Sequence, residues 1–430
     1  MSASSRSPSH PLGRWLGLLA FVTLAVLATL WFLGGTGLQG TTPEPSKAPP
    51  EDAATRIERG HYLARIGNCA FCHTARGGAE YAGGRAIATP FGSVLSSNIT
   101  PDPVYGIGRW TADDFWRALH HGVSADGHPL YPAFPYTSYT RVSRADADAL
   151  FAYLQSVPVA TTPNQAHALR WPYSSELALR VWRALYFKPA APVADAPSAD
   201  TAPAERGAYL VDGLGHCMEC HSARNALGAR SSRPTGNVLP GSRWYAPSLG
   251  DAAGASVAAW SPDEVVALLK TGISARGNAS GPMAEVVQHG TQYLQEADAR
   301  AMAAHLSTLP QTPVATAQKA DASALPQAGA ALYEQHCAEC HGLQGEGHAG
   351  AYPALAGNRA VLQGQTNNLI LTVLQGGFSA STAGNPRPYG MPPFKLALGD
   401  ADMAALLTYV RGAWGNQASA VSEFDINKLR

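Results

Sequence analysis

An all-α chain of three tandem small domains behind an N-terminal hydrophobic helix is the architecture the sequence predicts, and three observations carry it. All six cysteines fall into Cys-x-x-Cys pairs followed at once by histidine: Cys69/Cys72/His73, Cys217/Cys220/His221 and Cys337/Cys340/His341. Each pair has a helical approach before it and, further on, a closing segment with apolar residues at helical spacing. The length, 430 residues, suits about three domains at roughly 150 residues each. Charged residues make up only 14%, with 31 basic against 31 acidic side chains, so no basic stripe for nucleic acid is expected.

The N-terminal element comes first. Trp15 to Leu33 carries no charge and approaches the roughly 20 residues a helix needs to cross a bilayer. A retained anchor and a cleaved signal are both open, since Gly35-Thr36-Gly37 offers a small-x-small cleavage site. Arg6 and Arg14 precede the run and hold the short N-terminus inside, so either outcome exports the rest. Proline-rich spacers at Pro43–Pro50, Lys188–Pro203 and Pro310–Pro326 then divide the chain. Residues 1–54 form the anchor or signal with its spacer, 55–160 the first domain, and 161–204 a linker. Residues 205–310 form the second domain, 311–326 a linker, and 327–430 the third domain with its tail.

Within these bounds the sequence repeats. Glu58-Arg-Gly-His-Tyr-Leu63 and Glu205-Arg-Gly-Ala-Tyr-Leu210 open the first two units, and a looser Gly329-Ala-Ala-Leu-Tyr333 opens the third. Closing helices are expected over Ala145–Leu154, Ala297–Leu306 and Ala401–Val410, with Leu150, Met302 and Leu406 at one register position. Thr111 to Gly122 and Ser261 to Gly272 each read as a capped helix that stops at glycine.

Cysteines at i and i+3 of a helix face one side, with the histidine at i+4 beside them. Two thiols can then bond to the vinyl groups of a haem while the imidazole reaches iron, which makes three covalently bound haem c groups the expected cofactors. Zinc would need further ligands for each motif, and a thioredoxin-like redox role lacks its strand–helix–strand setting.

Several stretches resemble one family closely. Ala88-Thr-Pro-Phe-Gly92, Asn98-Ile-Thr-Pro-Asp102, Gly106-Ile-Gly-Arg-Trp110, Arg206 to Cys217, Tyr389-Gly-Met-Pro-Pro-Phe394 and the tail Trp414-Gly-Asn416 to Leu429-Arg430 are similar to the triheme cytochrome c subunit of bacterial membrane-bound dehydrogenases. The resemblance covers nearly everything from residue 56 onward and implies three class I cytochrome c-like domains. It further implies a large catalytic dehydrogenase partner of flavin, pyrroloquinoline quinone or molybdenum type, with electrons passing to ubiquinone or a terminal oxidase. The expected location is the periplasmic side of the inner membrane, anchored there or secreted after cleavage.

Electron-passing haems commonly carry His and Met as axial ligands. Met283 and Met391 lie in Gly/Pro-rich loops ahead of closing helices and are the expected distal ligands, whereas Met302 and Met403 sit inside closing helices as core residues. Aligning Gly127 with Gly277 brings Phe134 opposite Met283, and a phenyl ring cannot ligate iron. The first haem is therefore left with an open or water-bound distal side, or with His128, or with His120 or His121. Pro247, Pro353 and the Ser97-Asn-Ile99 segment offer carbonyls to orient the proximal imidazoles. Leu177 to Leu185, flanked by Trp171, Trp182, Tyr186 and Phe187, has helical apolar spacing suited to docking a partner or to covering a gap between domains. Asn98-Ile-Thr100 and Asn278-Ala-Ser280 match short glycosylation sequons. No dinucleotide fingerprint, nucleophile elbow or His-Glu-x-x-His motif is present, so an electron-transfer subunit without its own substrate site is expected. A free-standing mediator and a peroxide-handling enzyme at an open first haem are the alternatives.

Overall fold

The computed structural model describes residues 11–36, 51–250, 257, 260–310 and 326–430. The Pro43–Pro50 spacer, the interior of the Pro310–Pro326 spacer, Arg6 and the Gly37 end of the small-x-small site lie outside the described residues. The apolar N-terminal run forms helix α1 (Pro11–Thr36), 26 residues long, whose described side chains, such as Trp15, Leu19, Phe21 and Leu24, are exposed. Among the described residues no helix is long and apolar enough to cross a membrane.

Asp52 begins α2 (Ala53–Ile66) by accepting from the backbone N–H groups of Ala54 and Thr55, each at 3.0 Å. The first cysteine motif follows as the short α3 (Cys69–His73). A hairpin of Ala86–Thr89 with Gly92–Leu95, joined by Ala168–Leu169, wraps this region. Thr111 and Asp114 form a capping box at the start of α4 (Ala112–His121), and Gly122 ends it in the left-handed conformation at φ 61°. The first set finishes with α5 (Tyr136–Tyr139) and α6 (Arg144–Leu154), and α7 (Glu176–Tyr186) lies in the linker beside α1.

The second set repeats the plan. Helix α8 (Pro203–Ala208) continues as a π-helical turn over Tyr209–Leu214 into α9 (Met218–His221). Ser261 and Glu264 then cap α10 (Pro262–Thr271), which Gly272 ends at φ 76°, before α11 (Pro282–His289) and α12 (Glu296–Ser307). In the third set α13 (Gln327–His336) leads into α14 (Ala338–His341), and α15 (Arg359–Leu362), α16 (Asn367–Gln375), α17 (Asp400–Gly412) and α18 (Glu423–Leu429) complete the chain.

One packing device occurs in all three sets. The approach helix crosses the closing helix at a glycine, so close that an added Cβ at Gly60 would stand 1.9 Å from the Ala149 carbonyl oxygen. The same measure is 2.0 Å for Gly207 against Ala301 and 2.3 Å for Gly329 against Ala405. Leu150, Met302 and Leu406 are buried beneath these crossings, at the register position expected of them.

The first two sets share a single apolar core, running from Leu63 and Leu150 to Leu210, Met302 and Leu306, while the third has its own around Ile370, Met403 and Leu407. A reciprocal polar pair joins the first two. Arg59 binds Asp146, and Arg206 grips both oxygens of Asp298 at 2.8 Å. Tyr62 then reaches across to donate to Asp298 at 2.6 Å, while Tyr209 reaches back to donate to Asp146 at 2.7 Å. Equivalent residues exchange partners, which is the signature of a pseudo-twofold relation. The third set has no arginine beside Gly329, and its Tyr333 turns inward to the Gly342 carbonyl at 2.6 Å.

Two outcomes follow from these contacts. Gly329→Ala gains about 1 kcal/mol of helix propensity, but the close carbonyl costs about 1–3 kcal/mol of overpacking, so the variant should melt at lower temperature. Burial raises the Asp298 pKa, yet the hydrogen bonds and charge of Arg206 and the Tyr62 hydroxyl outweigh it and hold the carboxyl below its ordinary range. Its stabilisation is thus fully present above the unfolded value of about 3.9 and lost as pH falls through the folded one. Asp298→Asn should cost about 3–5 kcal/mol in denaturant unfolding at neutral pH and show a smaller loss than the parent on acidification.

Candidate haem sites

The three motif helices are short, and two begin with strained backbone. Asn68 and His216, each directly before the first cysteine of its motif, adopt φ of 57° and 39°. This turns the chain from the approach helix into the motif and sets both cysteines on one side. Each histidine is then fixed by a carbonyl oxygen. His73 Nδ1 meets Ser97 O at 2.7 Å, His221 Nδ1 meets Pro247 O at 2.6 Å, and His341 Nδ1 meets Pro353 O at 2.9 Å. A carbonyl can only accept, so Nδ1 carries the proton and Nε2 keeps the lone pair a metal needs. Burial holds all three imidazoles below their ordinary pKa and so in the neutral, ligating form.

The thiols are unbonded to one another. Burial pushes Cys69 and Cys217 up to about 12, and Cys220 and Cys337 up to about 11. A dithiol redox site needs the opposite shift, toward thiolate. No group of three or more His, Cys, Asp or Glu is gathered for a bare metal ion among the described residues. Two thiols and one imidazole with a free lone pair, three times over, are instead the donor set that fits a covalently held haem.

The two loop methionines lie in the second and third sets. Met283 follows Pro282 at the start of α11 and packs half-buried on the shared core. Met391 sits in a two-residue strand paired with Gly377–Phe378 and packs on the third core, in one cluster with Cys337 and Leu355. Met218, Met302 and Met403 are buried as packing residues.

In the first site Phe134 packs half-buried against the shared core, its ring 5.4 Å from that of Tyr139. Tyr139 is buried beside Cys69 and Cys72; burial first, then those sulfurs, drives its phenol well above the usual value. The structure turns His128 outward: its side chain is 67% exposed and faces Glu176 at 3.4 Å. His120 stacks on Trp116 and reaches Ala190 O at 3.1 Å, and His121 sits edge-on to the same indole. Burial pulls both down to about 4. Arg183 of α7 seals this corner by donating to the carbonyls of His121 and Gly122.

The first two sites adjoin. Cys72 lies near enough for its charge to act on Cys220, and the His216 ring stands edge-on to Tyr139 at 5.5 Å. Glu219, inside the second motif, accepts from Thr137 at 2.8 Å and Ser138 at 3.1 Å and pairs with Arg224 and Arg230. Burial raises its pKa, but the two arginines outweigh that and keep it ionised. Tyr139 and Glu219 were not singled out from sequence; a carboxylate within a Cys-x-x-Cys pair was the available signal for the second. Asn98, in a sequon, is buried and donates to Ala160 O at 2.7 Å, which leaves no room for a sugar.

Comparison with known proteins agrees with this geometry. A cytochrome c family model matches residues 326–414. The chain is 37% identical over 412 residues to the cytochrome c subunit of alcohol dehydrogenase (quinone) from Gluconobacter oxydans (strain 621H), covering 92% of this chain and 86% of the relative. It is 35% identical to the fructose dehydrogenase cytochrome subunit of Gluconobacter japonicus, covering 95% and 89%. Against the gluconate 2-dehydrogenase cytochrome c subunit of Pantoea cypripedii the identity is 37%, covering 87% and 89%. With two thirds or more of each relative spanned, this chain belongs to the family of cytochrome c subunits of alcohol, fructose and gluconate dehydrogenases.

Proposed function

We propose that the chain is a triheme electron carrier in which each Cys-x-x-Cys-His motif holds one haem c by two thioether bonds. The observation that carries this reading is the threefold recurrence of a proximal histidine fixed through Nδ1 to a backbone carbonyl. Bound there, each haem would supply one-electron iron chemistry. His73, His221 and His341 are the proximal ligands in this reading, with Met283 and Met391 distal at the second and third sites. In this reading three tandem domains carry these sites in series. Electrons enter from a large dehydrogenase partner, of flavin, pyrroloquinoline quinone or molybdenum type, and leave to ubiquinone or a terminal oxidase.

Helix α1 supports membrane anchoring on the periplasmic side. Trp15, Leu19, Phe21 and Leu24 are exposed apolar side chains on it. The exposed Leu177, Leu185 and Tyr186 of α7, beside α1, suit an interfacial or docking role. At the first site, Phe134 and the outward-facing His128 favour an open distal side. That site also carries the second reading, peroxide handling, because access and polarity on the distal side decide between transfer and activation.

Intact-mass measurement of the purified holoprotein should show three haems, and Cys337→Ala with Cys340→Ala should remove one. Carbon monoxide added to the fully reduced protein should perturb a single haem. Phe134→Met should abolish that response and raise the potential of that haem in a redox titration. A carbon monoxide response at none of the haems would rule out the open site, and peroxide turnover by the isolated chain would favour the second reading.

A further inference from the structure

One side chain of the second set is inserted into the core of the third. Trp244 stands at the end of a hairpin whose strands, Asn237–Val238 and Tyr245–Ala246, lie in the second set. The left-handed Arg243, at φ 63°, turns the chain so that the indole leaves the second set and packs, half-buried, on the core of the third. Met391 and Cys337 belong to that same apolar cluster. Residues around it are held by the third set. Asn368 accepts from Tyr245 N at 2.8 Å and donates to Tyr245 O at 2.7 Å, Asn367 donates to Arg243 O at 2.8 Å, and Arg243 donates to Lys428 O at 2.7 Å.

The other face of the indole lies on Gly281. A Cβ there would be 2.6 Å from the ring, so only glycine admits it, and Gly281 stands two residues before Met283. Three residues after Trp244, Pro247 holds His221. The indole thus lies on a glycine two residues before Met283 and belongs to the segment that holds His221 three residues on, while packing on the same core as Met391. The methionine-bearing segments also face each other: Ala380, eleven residues before Met391, packs with Ala279, Ala284 and Val287, and Met283 rests on this small cluster.

We infer that Trp244 is the positioning residue that couples the second and third haem sites. Electronic coupling falls steeply with distance, and faster across empty space than across packed atoms, so a ring filling the gap between two redox centres sets their exchange rate. With haem bound at both sites, one electron would pass per event, with ferrous iron at one site becoming ferric, ferric iron at the other becoming ferrous, and no proton moved or bond broken. The indole is neither oxidised nor reduced. This rests on the proposed haem ligation at those two sites.

The test uses the full holoprotein with Trp244→Phe and Trp244→Leu. Brief photoreduction of the oxidised protein is followed by time-resolved absorbance of electron redistribution, and the methionine–iron charge-transfer band is recorded in parallel. The expected result is loss of rate in one redistribution phase of Trp244→Leu, largely restored in Trp244→Phe, with the methionine band intact in both. Equal rates in all three proteins overturn the inference. Loss of rate together with loss of the methionine band overturns it as well, because the ring then serves only to hold the distal loops. Absence of the methionine band from the parent protein removes the ligation reading itself, a separate failure.

Discussion

Backbone-to-backbone contact at Gly60, Gly207 and Gly329 is the constraint from which the haem sites derive. With no side chain between approach and closing helices, the two run close enough to bury Leu150, Met302 and Leu406. The approach helix then ends at a fixed place, and the cysteine motif leaves it in a fixed direction. A loop carbonyl 12 to 26 residues later can be placed within 2.6–2.9 Å of the histidine only because the motif itself does not wander. The precision of the metal-facing nitrogen is thus inherited from a helix crossing on the other side of the unit.

Association of the first two sets draws on a different resource. Their polar pairs lie beside an apolar seam, and each aspartate is held by its own arginine and by the other set's tyrosine. Neither carboxylate keeps its full set of partners if the sets separate. Among the described residues the third set has no such exchange, and its contacts run through Asn367, Asn368, the Trp244 hairpin and the segment around Ala380 instead. Two kinds of junction therefore lie along one chain, one symmetric and deeply packed, the other made of an inserted ring and a small apolar patch.

Much of this was legible in the sequence because it is local. The caps at Thr111 and Ser261, the glycine stops at Gly122 and Gly272, and the carbonyls of Ser97, Pro247 and Pro353 all act within one unit, where spacing carries the information. What spacing does not carry is contact between units. Tyr62 and Tyr209 read as matching positions of a repeat, and nothing in a single sequence says that each serves the other's aspartate. The shared core, Glu219 and Trp244 escaped for the same reason. His128 stood near Phe134 along the chain, but the neighbouring α7 supplies Glu176 and draws the imidazole to the surface.

The exchange of equivalent partners between the first two sets has a further consequence. A homodimer with this geometry would be bound by its symmetry to present the same residues on both sides of the axis. Fusion into one chain lifts that obligation. Here one half carries Phe134 where the other carries Met283, while the tyrosine–aspartate exchange that joins the halves is left untouched. Two sites that share a frame can in this way differ in affinity for an electron, and a difference between neighbours is what gives a chain of centres a direction.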